Sequence, residues 1–125
     1  MKRLVFESWL LLLYFDFMMR LREFKSLHSF VRNIKVQARS GDMDTSSTEL
    51  CHAIDLACVF YFKRVLCLQR SAATTFLLRR HGWKAEMVIG VQVVPFRSHA
   101  WVEIDSAIVN DKPYTREMYA ELDRC

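Results

Sequence analysis

The chain is poor in the residues that break, staple or loosen a fold. Three glycines and two prolines in 125 residues leave little room for disorder, and there is no repeat or low-complexity tract. Four cysteines, Cys51, Cys58, Cys67 and Cys125, include no C-x-x-C pair, which argues against a zinc ribbon or a redox dithiol. No metal or cofactor motif is visible. The apolar stretch at the amino end is followed by Arg20, Leu21, Arg22 and Glu23, not by the small residues of a signal-peptide cleavage site. Reduced thiols and a cytoplasmic setting are therefore expected. A spanning helix needs roughly 20 apolar residues with few charges, and Glu7 and Asp16 interrupt this one. A dense basic patch is missing too. The net charge of +4 comes from scattered residues such as Arg32, Arg64, Arg79 and Arg80, expected mostly on outer helix faces, so a nucleic-acid reader is not indicated.

What remains is ordinary globular composition, half of it apolar, on a length suited to one domain, 1–125. A helical amino-terminal part is expected over 1–44 and the functional core over 45–125. Residues 3–23 read as an amphipathic-to-buried helix docked on the core, with a membrane-surface or partner-facing helix as the sharper alternative. A second helix is expected over 27–36, with Leu27, Phe30, Val31 and Ile34 as its stripe. Polar residues 37–44 read as a surface loop. Ser46-Ser47-Thr48-Glu49 matches a capping box, opening a helix that should run to about Lys63. Within it Cys51 and Cys58 share a face as small apolar residues.

The next helix organises the rest. It begins at Cys67 and ends in Arg79-Arg80-His81-Gly82, with cations at the negative end of the dipole and glycine where a left-handed cap falls. A cysteine in a first turn faces unpaired backbone N–H groups, which favour its thiolate. Strand grammar then takes over: 83–94 up to Pro95, 99–104, and 107–111 across a turn at Asp105-Ser106. Thr115 opens a final short helix through Leu122. The expected class is α+β, amino-terminal helices packed on a small antiparallel sheet.

Cysteine nucleophiles need a base and a group that orients it. His99 is the best-placed base, because His28 and His52 lie on helices and His81 in a helix end. Asp111 returns beside it on the hairpin. Register tests this pairing. A two-residue loop at 105 and 106 pairs residues summing to 211 and sets Asp111 against Ala100, on the face away from His99. An odd loop or a bulge would pair Asp111 with His99. A tight loop would make Asn110 the more plausible partner. The backbone N–H of Cys67 is the evident oxyanion donor, whereas neither Gln69 nor Gln37 can be assigned. Trp101 shares strand parity with His99 and either shields the imidazole or packs in the core. Arg70 either holds a group near the site or forms a surface ion pair.

The phrases Cys67-Leu68-Gln69-Arg70-Ser71, Leu78-Arg79-Arg80-His81-Gly82-Trp83, Ile89-Gly90-Val91, Pro95-Phe96-Arg97-Ser98-His99-Ala100-Trp101-Val102-Glu103 and Val109-Asn110-Asp111 resemble the leader peptidase of lasso-peptide biosynthesis. They resemble its stand-alone form, which lacks a fused recognition domain, within the transglutaminase-like cysteine-protease superfamily. The resemblance covers roughly residues 48–113. It implies a papain-like core with Cys67 as nucleophile, His99 as general base and acid, and Asp111 as the orienting carboxylate. It implies a ribosomally made precursor peptide cut between leader and core, a separate leader-recognition protein, and an ATP-dependent cyclase that takes the new amine. It implies no cofactor and no metal. Ser106 departs from the glycine many relatives have in the turn. Two other readings stay open: a silent scaffold module that holds partners, and an acyltransferase using the same three residues.

Overall fold

The computed structural model describes residues 2–21, 24–36, 46–93 and 96–125, the side chains at 24–26 excepted. The expected loop at 37–44, with Gln37, and the strand-ending Pro95 lie outside the described residues. Among the described residues five helices and four strands follow in order: α1 (Lys2–Leu21), α2 (Phe24–Asn33), α3 (Ser47–Phe60), α4 (Cys67–Arg80), β1 (Ala85–Gln92), β2 (Arg97–Ile104), β3 (Ala107–Ile108), α5 (Thr115–Met118) and β4 (Ala120–Arg124). The strands form one antiparallel sheet in the order β3-β2-β1-β4. The fold is α+β, as expected. Among the described residues no helix is long and apolar enough to cross a membrane.

The helix that begins at Cys67 is the centre of the molecule. One side of α4 packs on β1 and β2, and the other on α1 and α3. Its small and medium residues allow this. Ser71, Ala72, Ala73, Thr74 and Thr75 are all buried, as are Leu77 and Leu78, so sheet and helices approach the axis from both sides. From the sheet, Ala85, Met87, Ile89, Ala100, Val102 and Ile104 complete this core. Strand alternation then places His99, Trp101 and Glu103 on the opposite face of β2.

α1 buries Ser8, Leu12, Phe15 and Asp16, one stripe at helical spacing. Asp16 is held there by Tyr61, whose hydroxyl donates to Oδ2 at 2.9 Å, and by the Lys63 ammonium at 2.9 Å. These partners explain a first departure. α3 stops at Phe60 rather than near Lys63, because Tyr61 is extended (φ −72°, ψ 146°), its hydroxyl bonded to Asp16. At the other end of α3 half of the expected capping box is present, Ser46 Oγ accepting from the Glu49 N–H at 3.1 Å.

α2 also departs from expectation, ending at Asn33 instead of Val36. Its last carbonyls are taken by Arg79, whose Nη1 donates to Val31 O at 2.5 Å and Ile34 O at 3.3 Å, while Nε donates to Ala85 O at 2.8 Å. Arg79 is 6 % exposed. It is not the solvated helix-face cation the sequence suggests but the pin joining α2, α4 and β1. Gly82, with φ 89°, supplies the left-handed turn after α4 as expected.

The largest correction concerns the carboxyl end. Only Thr115–Met118 is helical, and Ala120–Arg124 is a strand on the outer edge of β1. An uncovered β1 edge would leave a row of unpaired backbone groups. Arg124 also answers a need that no local pattern displays. Its Nη1 lies 3.1 Å from Oε1 of Glu103, a carboxylate 1 % exposed, and buried charges require such partners.

Candidate active site

Cys67 occupies the first position of α4 and is exposed. Gln69 holds that helix start in place. It is 1 % exposed, its Oε1 accepts from the Leu66 N–H at 3.4 Å, and its Nε2 donates to Leu12 O at 2.7 Å. The Gln69 amide is thus spent on fixing α4 to α1 and does not serve as an oxyanion donor. Arg70 pairs with Asp55 of α3 at 2.5 Å, both partly exposed, and its charge also helps to hold Asp111 low. Ser71 is buried and donates to Ala100 O at 3.0 Å, tying α4 to β2 beside His99.

The structure brings Cys67, His99 and Asp111 together. His99 Nε2 lies 2.5 Å from Asp111 Oδ2, leaving Nδ1 as the ring nitrogen for the sulfur. The His99 side chain beside the Cys67 thiol favours its thiolate and lowers its pKa below 9.0. Burial opposes this, and the Ala100 and Leu68 backbone groups assist it. Cys67 in turn, against burial and with help from Asp111, raises His99 from 6.5 to about 9. Burial works to raise Asp111, but His99 and the Lys112 N–H at 2.8 Å hold it below 3.8. Both shifts favour a thiolate beside an imidazolium. Such a pair can attack a carbonyl carbon and then protonate the leaving group.

Asp111 does not get there by the expected route. The Asp105-Ser106 loop is a tight two-residue turn with both residues at positive φ, 50° and 67°, and the register is the regular one, Ile104 opposite Ala107 and Glu103 opposite Ile108. The odd loop is absent, and Asn110 is not the histidine's partner. Instead β3 ends after two pairs. Val109 N–H still donates to Val102 O at 2.9 Å, but the returning bond from Val102 N–H goes to Asn110 Oδ1 at 2.7 Å. The chain leaves the ladder there and Asp111 turns towards His99.

Two neighbours of the imidazole shape its setting. Tyr119, between α5 and β4, stacks on His99 with ring centroids 5.2 Å apart, and Trp101 stands 6.1 Å from it. Trp101 is 1 % exposed and its Nε1 donates to Glu103 Oε2 at 2.8 Å, so the tryptophan both packs and walls the site. Gly90, opposite His99 in the register, makes room for both rings. Sequence reasoning missed Tyr119, hidden inside an expected helix, and Glu103, though the latter stands in the His-Ala-Trp-Val-Glu phrase. The other thiols differ from Cys67. Burial pushes Cys51 up to about 11 and raises Cys58 and Cys125.

Comparison with known proteins agrees with this architecture. A sequence model described as the transglutaminase-like superfamily matches residues 11–124. The microcin J25-processing protein McjB of Escherichia coli is 41 % identical over 51 residues, 41 % of this chain and 24 % of that protein. The match therefore spans about a quarter of the curated relative's length. No solved structure matches the chain.

Proposed function

The chain belongs to the transglutaminase-like superfamily, and we propose that it is the cysteine peptidase that removes the leader from a ribosomally made lasso-peptide precursor. The observation that carries this reading is the exposed thiol at the start of α4, favoured as a thiolate by His99, whose Nε2 lies 2.5 Å from Asp111. The substrate class is suggested by the likeness to a microcin-processing protein and by the phrases around Cys67 and His99.

In this mechanism the Cys67 sulfur attacks the carbonyl that joins leader to core. The backbone N–H of Cys67, one of the unpaired donors of a helix start, stabilises the oxyanion. The His99 imidazolium gives its proton to the departing amine, and the C–N bond breaks. The core leaves with a free amino terminus and the leader stays as a thioester on Cys67. Water then attacks the thioester as His99 takes its proton, the C–S bond breaks, and the leader leaves as a carboxylate with the Cys67 thiolate restored beside the imidazolium. Asp111 keeps the ring oriented and the imidazolium stabilised. A separate leader-recognition protein presents the substrate, and an ATP-dependent cyclase uses the released amine.

The test is intact-mass spectrometry of precursor peptide incubated with the chain and the recognition protein. Cleavage at one bond that disappears in Cys67→Ala, with folding retained, supports the reading. Undiminished cleavage by Cys67→Ala refutes the mechanism. A product carrying an added amine in place of water would identify an acyltransferase, and an inert wild-type chain a scaffold module.

A further inference from the structure

Asn110 performs two bonds that no neighbour duplicates. Its Oδ1 accepts from the Val102 N–H at 2.7 Å, and its Nδ2 donates to Ser71 Oγ at 3.2 Å. Ser71 Oγ in turn donates to Ala100 O at 3.0 Å. The side chain therefore touches the strand that carries His99 and the helix that carries Cys67, one residue ahead of Asp111. Ser71 is four residues after Cys67, on the same face of α4, and 1 % exposed.

The geometry of a regular hairpin shows what this prevents. With Glu103 opposite Ile108, continued pairing would set Val102 against Val109, Trp101 against Asn110 and Ala100 against Asp111. The Asp111 carboxylate would then lie on the face away from His99. The Val102 N–H is the donor that would extend the ladder by bonding to the Val109 carbonyl. Asn110 Oδ1 occupies that donor, so the backbone is released from the sheet at this point, and the bond to Ser71 fixes the release against α4.

We infer that Asn110, tethered by Ser71, is a positioning residue that ends the β2–β3 ladder and thereby delivers Asp111 to His99. The inference rests on the reading that Asp111 acts through His99 on Cys67. It extends that reading by making the site's third member depend on an amide that meets neither sulfur nor substrate.

The experiment measures the rate of Cys67 alkylation by iodoacetamide against pH, followed by intact mass, in the wild-type chain, Asp111→Asn, Asn110→Ala, Ser71→Ala, Ser71→Thr and the Asp111→Asn/Asn110→Ala double variant. Thermal melts by circular dichroism run alongside. The thiolate is the reacting species, so the midpoint of each profile reads the support His99 receives. Asn110→Ala is expected to move the midpoint upward as far as Asp111→Asn does, slowing alkylation at pH 7 about tenfold for each unit of that rise. The double variant should go no further than either single change, as for residues acting through one another. Ser71→Ala should shift the profile in the same direction, with Ser71→Thr restoring it. A folded Asn110→Ala with the wild-type midpoint, while Asp111→Asn is shifted, overturns this inference alone. An Asp111→Asn profile that coincides with wild type overturns the underlying reading as well. If Asn110→Ala does not fold, Ser71→Ala, which removes the tether together with the Ser71 bond to Ala100 O, is read with and without Asp111→Asn: a shift that Asp111→Asn absorbs supports the inference, and no shift, or one that adds to that of Asp111→Asn, overturns it.

Discussion

Replacing Gly90 by alanine tests the aromatic wall behind His99 with a single methyl group. A Cβ at this position would stand 2.7 Å from Trp101 Cη2, 2.8 Å from Cζ3 and 2.8 Å from Tyr119 Cβ. Ordinary carbon contacts lie near 3.5–4.0 Å, so about 1 Å of movement is needed. Neither neighbour gives easily. The indole is held through its Nε1 bond to Glu103, and Tyr119 Cβ sits on the backbone just ahead of β4. Overpacking of this kind costs about 1–3 kcal/mol, offset by the roughly 0.5–1 kcal/mol that alanine gains over glycine in a strand. A net loss of about 0.5–2 kcal/mol follows. With an unfolding entropy near 2.1 cal/mol/K per residue, 125 residues give about 0.26 kcal/mol/K, so Tm should fall by about 2–8 °C. The measurement is calorimetry, paired with the Cys67 alkylation rate near neutral pH, which should slow because Tyr119 is stacked on His99. Trp101→Phe removes both ring carbons that clash, so adding it to Gly90→Ala should cost less than the two single losses together. A Gly90→Ala variant that melts within about 1 °C of wild type would refute the packing argument.

Two further outcomes are expected. Arg79→Met takes a donor from the Ala85, Val31 and Ile34 carbonyls, of which Val31 O keeps the Ile34 N–H at 3.2 Å; at about 1–3 kcal/mol for a buried group left unpaired, urea denaturation should show a loss of at least about 1 kcal/mol, and a loss below about 0.5 kcal/mol would show that the pin is dispensable. Peptide cleavage should decline on the alkaline side near pH 9, because the imidazolium that protonates the leaving amine is lost as pH rises through the value of about 9 to which Cys67 raises His99. The sign is the same for stability: the folded state holds this proton more tightly than the unfolded one, so the contribution is complete below about 6.5 and gone above about 9. In Asp111→Asn the alkaline limb should move to lower pH, and an unmoved limb would assign it to another group.

Local signals made the order of elements readable. Helix starts at Ser46 and Cys67, the cap at Gly82 and the alternation after it are written in neighbouring residues, and the structure has each of them. What was not readable depends on partners far along the chain. Tyr61 ends α3 because its hydroxyl meets Asp16, 45 residues away. Arg79 looks like a surface cation until the ends of α2 and the start of β1 arrive around it. Residues 119–124 have no strand periodicity strong enough to oppose a helix, and only the open edge of β1 and the buried Glu103 draw them into the sheet. The approach of Asp111 to His99 was missed in its manner for a related reason. Register arithmetic assumes that pairing continues, and here a side-chain amide ends it.

The fastening of α1 also has a consequence in time. Its buried stripe is closed by Gln69, 57 residues beyond Leu12, by Tyr61, and by Arg80, which meets Glu7 across 73 residues. On a ribosome adding about 5–20 residues per second, Leu12 precedes its partner by roughly 3–11 s. Within that interval Leu12 and Phe15 can meet α3 but not α4, while Phe6, Leu10, Phe17 and Leu21 stay outward. α1 thus waits for its last fastenings until the segment that carries Cys67 has been made.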